Sequence, residues 1–194
     1  MHGLINRSIQ CFVRDTYGQA VWLRVVRDMG LGFDSFETML SYPSGTTDRL
    51  VATAMAVLDR PRETLLEDLG TYLVSNPGLQ RLRRLLRFGG VTFTDFLHSL
   101  EDLPDRGRLA LPDLQLPELI LSDLGGGLFR LGCGQMIEGV GHVVLGLLRA
   151  MADDYGALVV MEHLGAEGGA EIVSIRLLDQ AFTAGRPFEL SLQV

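Results

Sequence analysis

Leu97-His98-Ser99-Leu100-Glu101-Asp102-Leu103-Pro104-Asp105 sets leucines three residues apart along one helical face and then meets a proline. Thr92 or Thr94 offers a side-chain oxygen to the free N–H groups of a first turn, so the spacing predicts a helix over 92–103. Pro104 has no backbone N–H, and its ring opposes the preceding turn, which ends that helix before Asp105-Arg106-Gly107. The chain changes character here.

Upstream the pattern is helical. Leu4, Ile5, Ile9, Phe12 and Val13 recur at helical spacing up to a break at Tyr17-Gly18, and Val21, Trp22, Val25, Val26 and Met29 continue to Gly30 and Gly32. A turn at Tyr42-Pro43-Ser44-Gly45 leads into Leu50, Val51, Ala54, Val57 and Leu58. Pro61 suits the first turn of a helix carrying Leu65, Leu66, Leu69 and Leu73, which Asn76-Pro77-Gly78 closes before a short segment with Leu79, Leu82, Leu85 and Leu86.

Downstream, Pro112 and Pro117 bracket an extended connection. Residues 118–123 and 128–133 read as two strands joined through Gly125-Gly126-Gly127, a hairpin whose glycines loosen the register. Residues 139–153 form an apolar helix with Val140, Val143, Val144, Leu147, Leu148 and Met151, and 157–163 and 172–177 are two further strands. The order predicts an α+β fold: helices first, then a four-stranded antiparallel sheet crossed by one long helix. One domain over 1–194 is expected, with a helical part over 1–60 and a larger α+β part over 61–194.

A chain of 194 residues can bury one core unaided. No apolar run reaches the ~18 residues of a membrane span, and the start shows no basic stretch followed by a cleavage site, so a cytoplasmic protein without membrane contact is expected. The net charge of −7 opposes a nucleic-acid partner. All 17 basic residues are arginine, which points to a GC-rich bacterial source. The run Arg81, Arg83, Arg84 and Arg87 reads as a solvated helix face, with an acidic protein partner as the alternative. Cys11 and Cys133 give neither metal spacing nor a disulfide framework. Ser8, Ser35, Ser122, His98 and His163 form no nucleophile constellation, and the pairs Glu101-Asp102 and Asp153-Asp154 read as helix surface or caps, so no catalytic activity is expected.

Leu97, Leu100, Asp102, Leu103 and Asp105, followed by Pro112 and Pro117, resemble the H-NOX family, the haem nitric-oxide and oxygen sensors that include the haem domain of soluble guanylate cyclase. Met1-x-Gly3 and Tyr17-Gly18 are similar to the family's opening, Gly70-Thr71-Tyr72-Leu73 to its G-x-Y-F stretch, and Gly139 with Gly146-Leu147-Leu148 to its late helix. The resemblance implies haem b as cofactor. It also implies a histidine kinase or cyclic-dinucleotide enzyme as the partner in signalling, reached in trans because the chain carries no effector domain.

The resemblance places the family's iron-binding histidine on Pro104. Cys133 follows it by 29 residues, the family's spacing to the first position of the Y-x-S-x-R motif that holds the haem propionates, so the three clamp positions fall on Cys133, Gln135 and Ile137. A thiol donates weakly, an amide carries no charge, and isoleucine donates nothing. Loss of ligand and clamp together implies a chain that does not hold haem in the family manner. Ile5, Leu73, Val74, Leu97, Leu100, Pro117, Val143 and Leu147 match or neighbour the family's cavity lining. All are apolar, which leaves two readings: a greasy pocket for another hydrophobic ligand, or ordinary core. The alternative is a nitric-oxide sensor with an unorthodox iron ligand. His142, beside the distal-side Val143, is one candidate; His98, about 120° around the helix from Pro104, and Cys133 as a thiolate near Arg130 are others. His2 and His163 read as surface or structural.

Overall fold

In a computed structural model the described residues are 3–43 and 45–186; His2, Ser44 and the Met1 of the opening motif lie outside them. Three helices come first: α1 (Gly3–Tyr17), α2 (Gln19–Met29) and α3 (Thr46–Leu58). Phe12, Val13, Trp22, Val25, Leu50 and Val51 bury their apolar faces against one another. Two buried polar groups fix how these helices meet the loop and each other. Gln10 accepts from the Phe36 N–H at 2.9 Å, and Asn6 accepts from the Thr47 hydroxyl at 2.7 Å. Without these bonds each amide would face the full cost of burial.

Four helices follow: α4 (Arg62–Ser75), α5 (Gln80–Arg87), α6 (Phe93–His98) and α7 (Leu103–Ala110). The hairpin β1 (Leu119–Asp123) and β2 (Leu128–Gly134), the long helix α8 (Val140–Tyr155), and a second hairpin, β3 (Leu158–Glu167) and β4 (Ala170–Asp179), complete the order. The sheet is antiparallel throughout, in the order β1-β2-β4-β3, and α8 lies across it with α4 against its other side. The α+β architecture read from the sequence is the one observed. The glycine-rich turn does not disturb the first hairpin, which runs in unbroken register from Leu119 opposite Cys133 to Asp123 opposite Phe129. Alternation holds it there, because Phe129, Leu131 and Cys133 all point inward.

The α4–α8 contact is closer than any side chain permits. A Cβ on Gly70 would stand 2.0 Å from the Val143 carbonyl oxygen, and one on Gly146 would stand 2.0 Å from that of Glu67. Only glycine allows the two backbones to touch. This seam fixes where α8 starts, and so places the functional site.

Candidate functional site

The segment carrying Pro104 differs from its sequence reading. Thr92 does cap α6, in a reciprocal capping box with Asp95, but the helix stops at His98. Leu100 N–H then bonds Leu97 C=O at 3.1 Å, and Leu103 N–H bonds Leu100 C=O at 3.0 Å. These are three-residue closures, so the leucine spacing of three belongs to tight turns after the helix. Pro104 is buried in the first turn of α7; it begins a helix and does not end one. The reason is simple: first-turn N–H groups have no intrahelical partner, so a residue without one fits there. His98 and Pro104 therefore sit on different helices, and no angle around a common axis relates them. His98 is exposed, 3.9 Å from Asp123 and edge-on to Phe129.

The clamp positions diverge in environment. Cys133 is fully buried on the inner face of the sheet, opposite Glu171 on β4. Burial, and after it the charge of Glu171, push its thiol up to about 12, so no thiolate exists at neutral pH. Arg130 gives it no help, since it lies on the opposite face of β2 and pairs with Glu167 at 2.6 Å. Gln135 is exposed and Ile137 is buried. Of the other positions expected to line a cavity, Val74, Leu97 and Leu100 have at most 2% of their surface within reach of water. Ile5, Leu73, Pro117, Val143 and Leu147 are partly buried.

Gln135 and Ile137 border a polar cleft of about 850 Å³ that also touches α3, α4, α8 and the β3–β4 hairpin. Its walls include the carboxylates of Asp48, Glu63, Glu138 and Glu171, against one guanidinium, Arg62. Arg62 is already engaged: it donates to Asp48 at 3.1 Å and to the Glu138 carbonyl at 3.0 Å. Glu171, itself buried, accepts from the N–H groups of Gly139 at 2.7 Å and Gly141 at 2.9 Å. A carboxylate thus caps the start of α8, where the helix dipole favours negative charge. His163 adds a third bond to Glu171 at 2.9 Å. His142 donates to Glu67 at 3.2 Å, and its ring stacks on that of His163 with centroids 4.0 Å apart. His142 is thus committed to Glu67 and His163. No sequence signal pointed to Arg62, Glu67 or Glu171, which are brought together only by tertiary structure.

The arginine run is a solvated face only in part, with Arg81 exposed. Arg83 grips Asp154 through two 2.8 Å bonds, and Arg87 lies 3.9 Å over the Tyr155 ring, so α5 is tied to the end of α8. Asp154 is correspondingly buried, against its reading as helix surface or cap. Glu101 reaches the sheet edge, accepting from the Leu121 N–H at 3.0 Å.

The described geometry can be set beside known proteins. The chain is 26% identical over 168 residues to soluble guanylate cyclase gcy-31 of Caenorhabditis elegans, covering 86% of this chain and 24% of that protein. It is 24% identical over 127 residues to soluble guanylate cyclase 89Db of Drosophila melanogaster, covering 64% and 18%. It therefore spans a quarter or less of these curated relatives. Among solved structures, an H-NOX protein from S. oneidensis in the Fe(II)NO ligation state superposes with a TM-score of 0.77 at 17% identity, covering 92% of this chain and all of that one. An Fe(II) unliganded H-NOX protein from K. algicida gives 0.73 at 18%, covering 94% and 100%. The Haem-NO-binding family model matches residues 2–163.

The chain belongs to the Haem-NO-binding family.

Iron held by a protein needs an axial lone pair, and propionates need charge-assisted donors. Pro104 has no lone pair to give. Among the described residues no group of three His, Cys, Asp or Glu side chains is placed to hold a metal ion. At the positions expected for the clamp, Cys133 is a buried neutral thiol, Ile137 is apolar, and the adjoining cleft presents four carboxylates to any incoming one. Pro104, Cys133, Gln135 and Ile137 together offer neither an imidazole nor a positive charge. Among the described residues no helix is long and apolar enough to cross a membrane.

Proposed function

We propose that this is a regulatory domain of the Haem-NO-binding family that works without family-type haem ligation and acts in trans on a signalling partner. The observation that carries the reading is the carboxylate wall at the clamp. Two propionates brought to Gln135 and Ile137 would face Asp48, Glu63, Glu138 and Glu171, and the one guanidinium there already serves Asp48 and the Glu138 carbonyl. Pro104 supports the same conclusion from the ligand side.

Of the two readings of the apolar positions, the burial of Val74, Leu97, Leu100 and Cys133 supports packed core over an open greasy pocket. The domain then offers a partner a shape. The family resemblance suggests a histidine kinase or a cyclic-dinucleotide enzyme as that partner, and the proposed role is non-catalytic.

The test is haem titration of the purified protein followed by absorption spectroscopy. The expected outcome is weak uptake with no five-coordinate ferrous-histidine spectrum. A stoichiometric complex with that spectrum overturns the reading, and a Soret band that disappears in His142→Ala establishes an unorthodox ligand in its place. The quadruple variant Pro104→His, Cys133→Tyr, Gln135→Ser, Ile137→Arg gains haem only if the interior can reopen. No gain in a folded protein supports the packed core.

A further inference from the structure

The cleft holds a device that the proposed function does not use. We propose that the stacked His142–His163 pair is a proton-operated latch joining the first turn of α8 and α4 to the β3–β4 hairpin. The inference is independent of any bound ligand.

The chemistry begins with the carboxylates. Glu67 and Glu171 can only accept, so the bonds at 3.2 Å and 2.9 Å place a proton on Nδ1 of His142 and on Nε2 of His163. Both bonds are complete with neutral rings. Two neutral imidazoles, 28° from parallel with centroids 4.0 Å apart, attract as flat apolar surfaces. Both are mostly covered, their side chains 20% and 16% exposed, so solvent screens the space between them poorly.

A proton added to one ring enters an acidic setting. The groups around the pair are Glu63, Glu67 and Arg62 on α4, Asp48 on α3, Glu138 before α8, Arg149 on α8 and Glu171 on β4. Glu162 of β3 is exposed on the other face of that strand. One cation is welcome there. A second proton puts two imidazolium rings face to face, and like charges at that distance repel. Each ring keeps its own carboxylate, His142 with Glu67 and His163 with Glu171, but the contact between the rings turns from attraction to repulsion. The seam that opens is the one between α8 with α4 and the β3–β4 hairpin. What moves is the wall of the cleft beside Gly139, held by Glu171 on the hairpin side.

Hydrogen exchange of the Gly139 and Gly141 amides, corrected for intrinsic rate, tests this directly between about pH 8 and pH 5, the range in which a histidine changes its charge. In the wild type, protection of the two amides is expected to fall about tenfold or more at the acid end. His142→Phe keeps a flat ring without a charge and should abolish the fall; His163→Gln serves the same purpose if the phenylalanine disturbs folding. pH-invariant protection in the wild type, or the same loss of protection in the uncharged variants, overturns the proposal.

Discussion

The α4–α8 seam and the clamp lie at adjoining parts of the molecule and have met opposite fates. At the seam, Gly70 and Gly146 are the glycines of the family-like stretches, and each is demanded by a carbonyl oxygen 2.0 Å from where a Cβ would go. At the positions expected for the clamp and the ligand stand Cys133, Gln135, Ile137 and Pro104, which offer neither a positive charge nor an imidazole. The seam belongs to the backbone, and in this chain the close approach of α4 and α8 depends on it. A clamp belongs to a ligand, and under the proposed function its positions are free to change. Structural likeness at 14–18% identity reflects the first kind of constraint and says nothing of the second.

The contrast makes measurable demands, the heaviest on the scaffold. Asp154→Ala should cost about 3 kcal/mol in denaturant unfolding, the lower end for breaking a buried pair, because Arg83 loses its bidentate partner while keeping some contact with water. Gly146→Leu should cost at least roughly 1–3 kcal/mol, since helix backbones must part to admit the side chain. A loss within about 0.5 kcal/mol of zero there would break the comparison, as that is what surface substitutions cause. Thr92→Ala should cost about 1 kcal/mol through the lost cap. Pro104→His should cost at least about 0.4–1 kcal/mol, the chain-entropy contribution of a proline in a compatible conformation, with the burial of the imidazole added to it. No loss at all would show that the first turn of α7 does not depend on the proline.

The last effect is chemical. Cys133 should resist alkylation at about pH 8 in the native state while Cys11, less buried, reacts. The sign of the linkage follows from the raised thiol. Its contribution to stability is whole below the unfolded thiol's value of about 8.5 and is lost as pH climbs from there toward about 12. Unfolding followed from about pH 8 to about pH 9.5 should show that decline, and Cys133→Ala should remove it; at higher pH the raised hydroxyls of Tyr17, Tyr72 and Tyr155 add declines of their own.

Much of the fold was legible because its signals are local. Turn glycines and prolines marked off the strands, and the breaks at Gly30, Pro61 and Asn76-Pro77-Gly78 fell at element ends. The 92–103 helix was misread because three-residue turns and a helical face place leucines alike, so Leu97, Leu100 and Leu103 fit both. The assignment of Pro104, Cys133, Gln135 and Ile137 to a ligand and a clamp rests on the family resemblance, which carries a spacing between them that local periodicity does not. The cleft was not legible: Glu67, His142, His163 and Glu171 come from four elements, and no periodicity links a residue on α4 to one on β4. Arg83 escaped the reading of the arginine run for a related reason, since it and Asp154 lie 71 residues apart.

Glu101 carries one more consequence. β1 is an outer strand, and an outer strand offers its unpaired N–H groups to any other chain that arrives extended. By accepting from the Leu121 N–H, the Glu101 carboxylate occupies one of those groups and sets a negative charge along the rim. Ile120 and Leu124 stand exposed close by, the apolar complement that would make such an encounter stick. A single acidic side chain from the turn before α7 therefore leaves that margin one donor poorer for an extended chain to dock on.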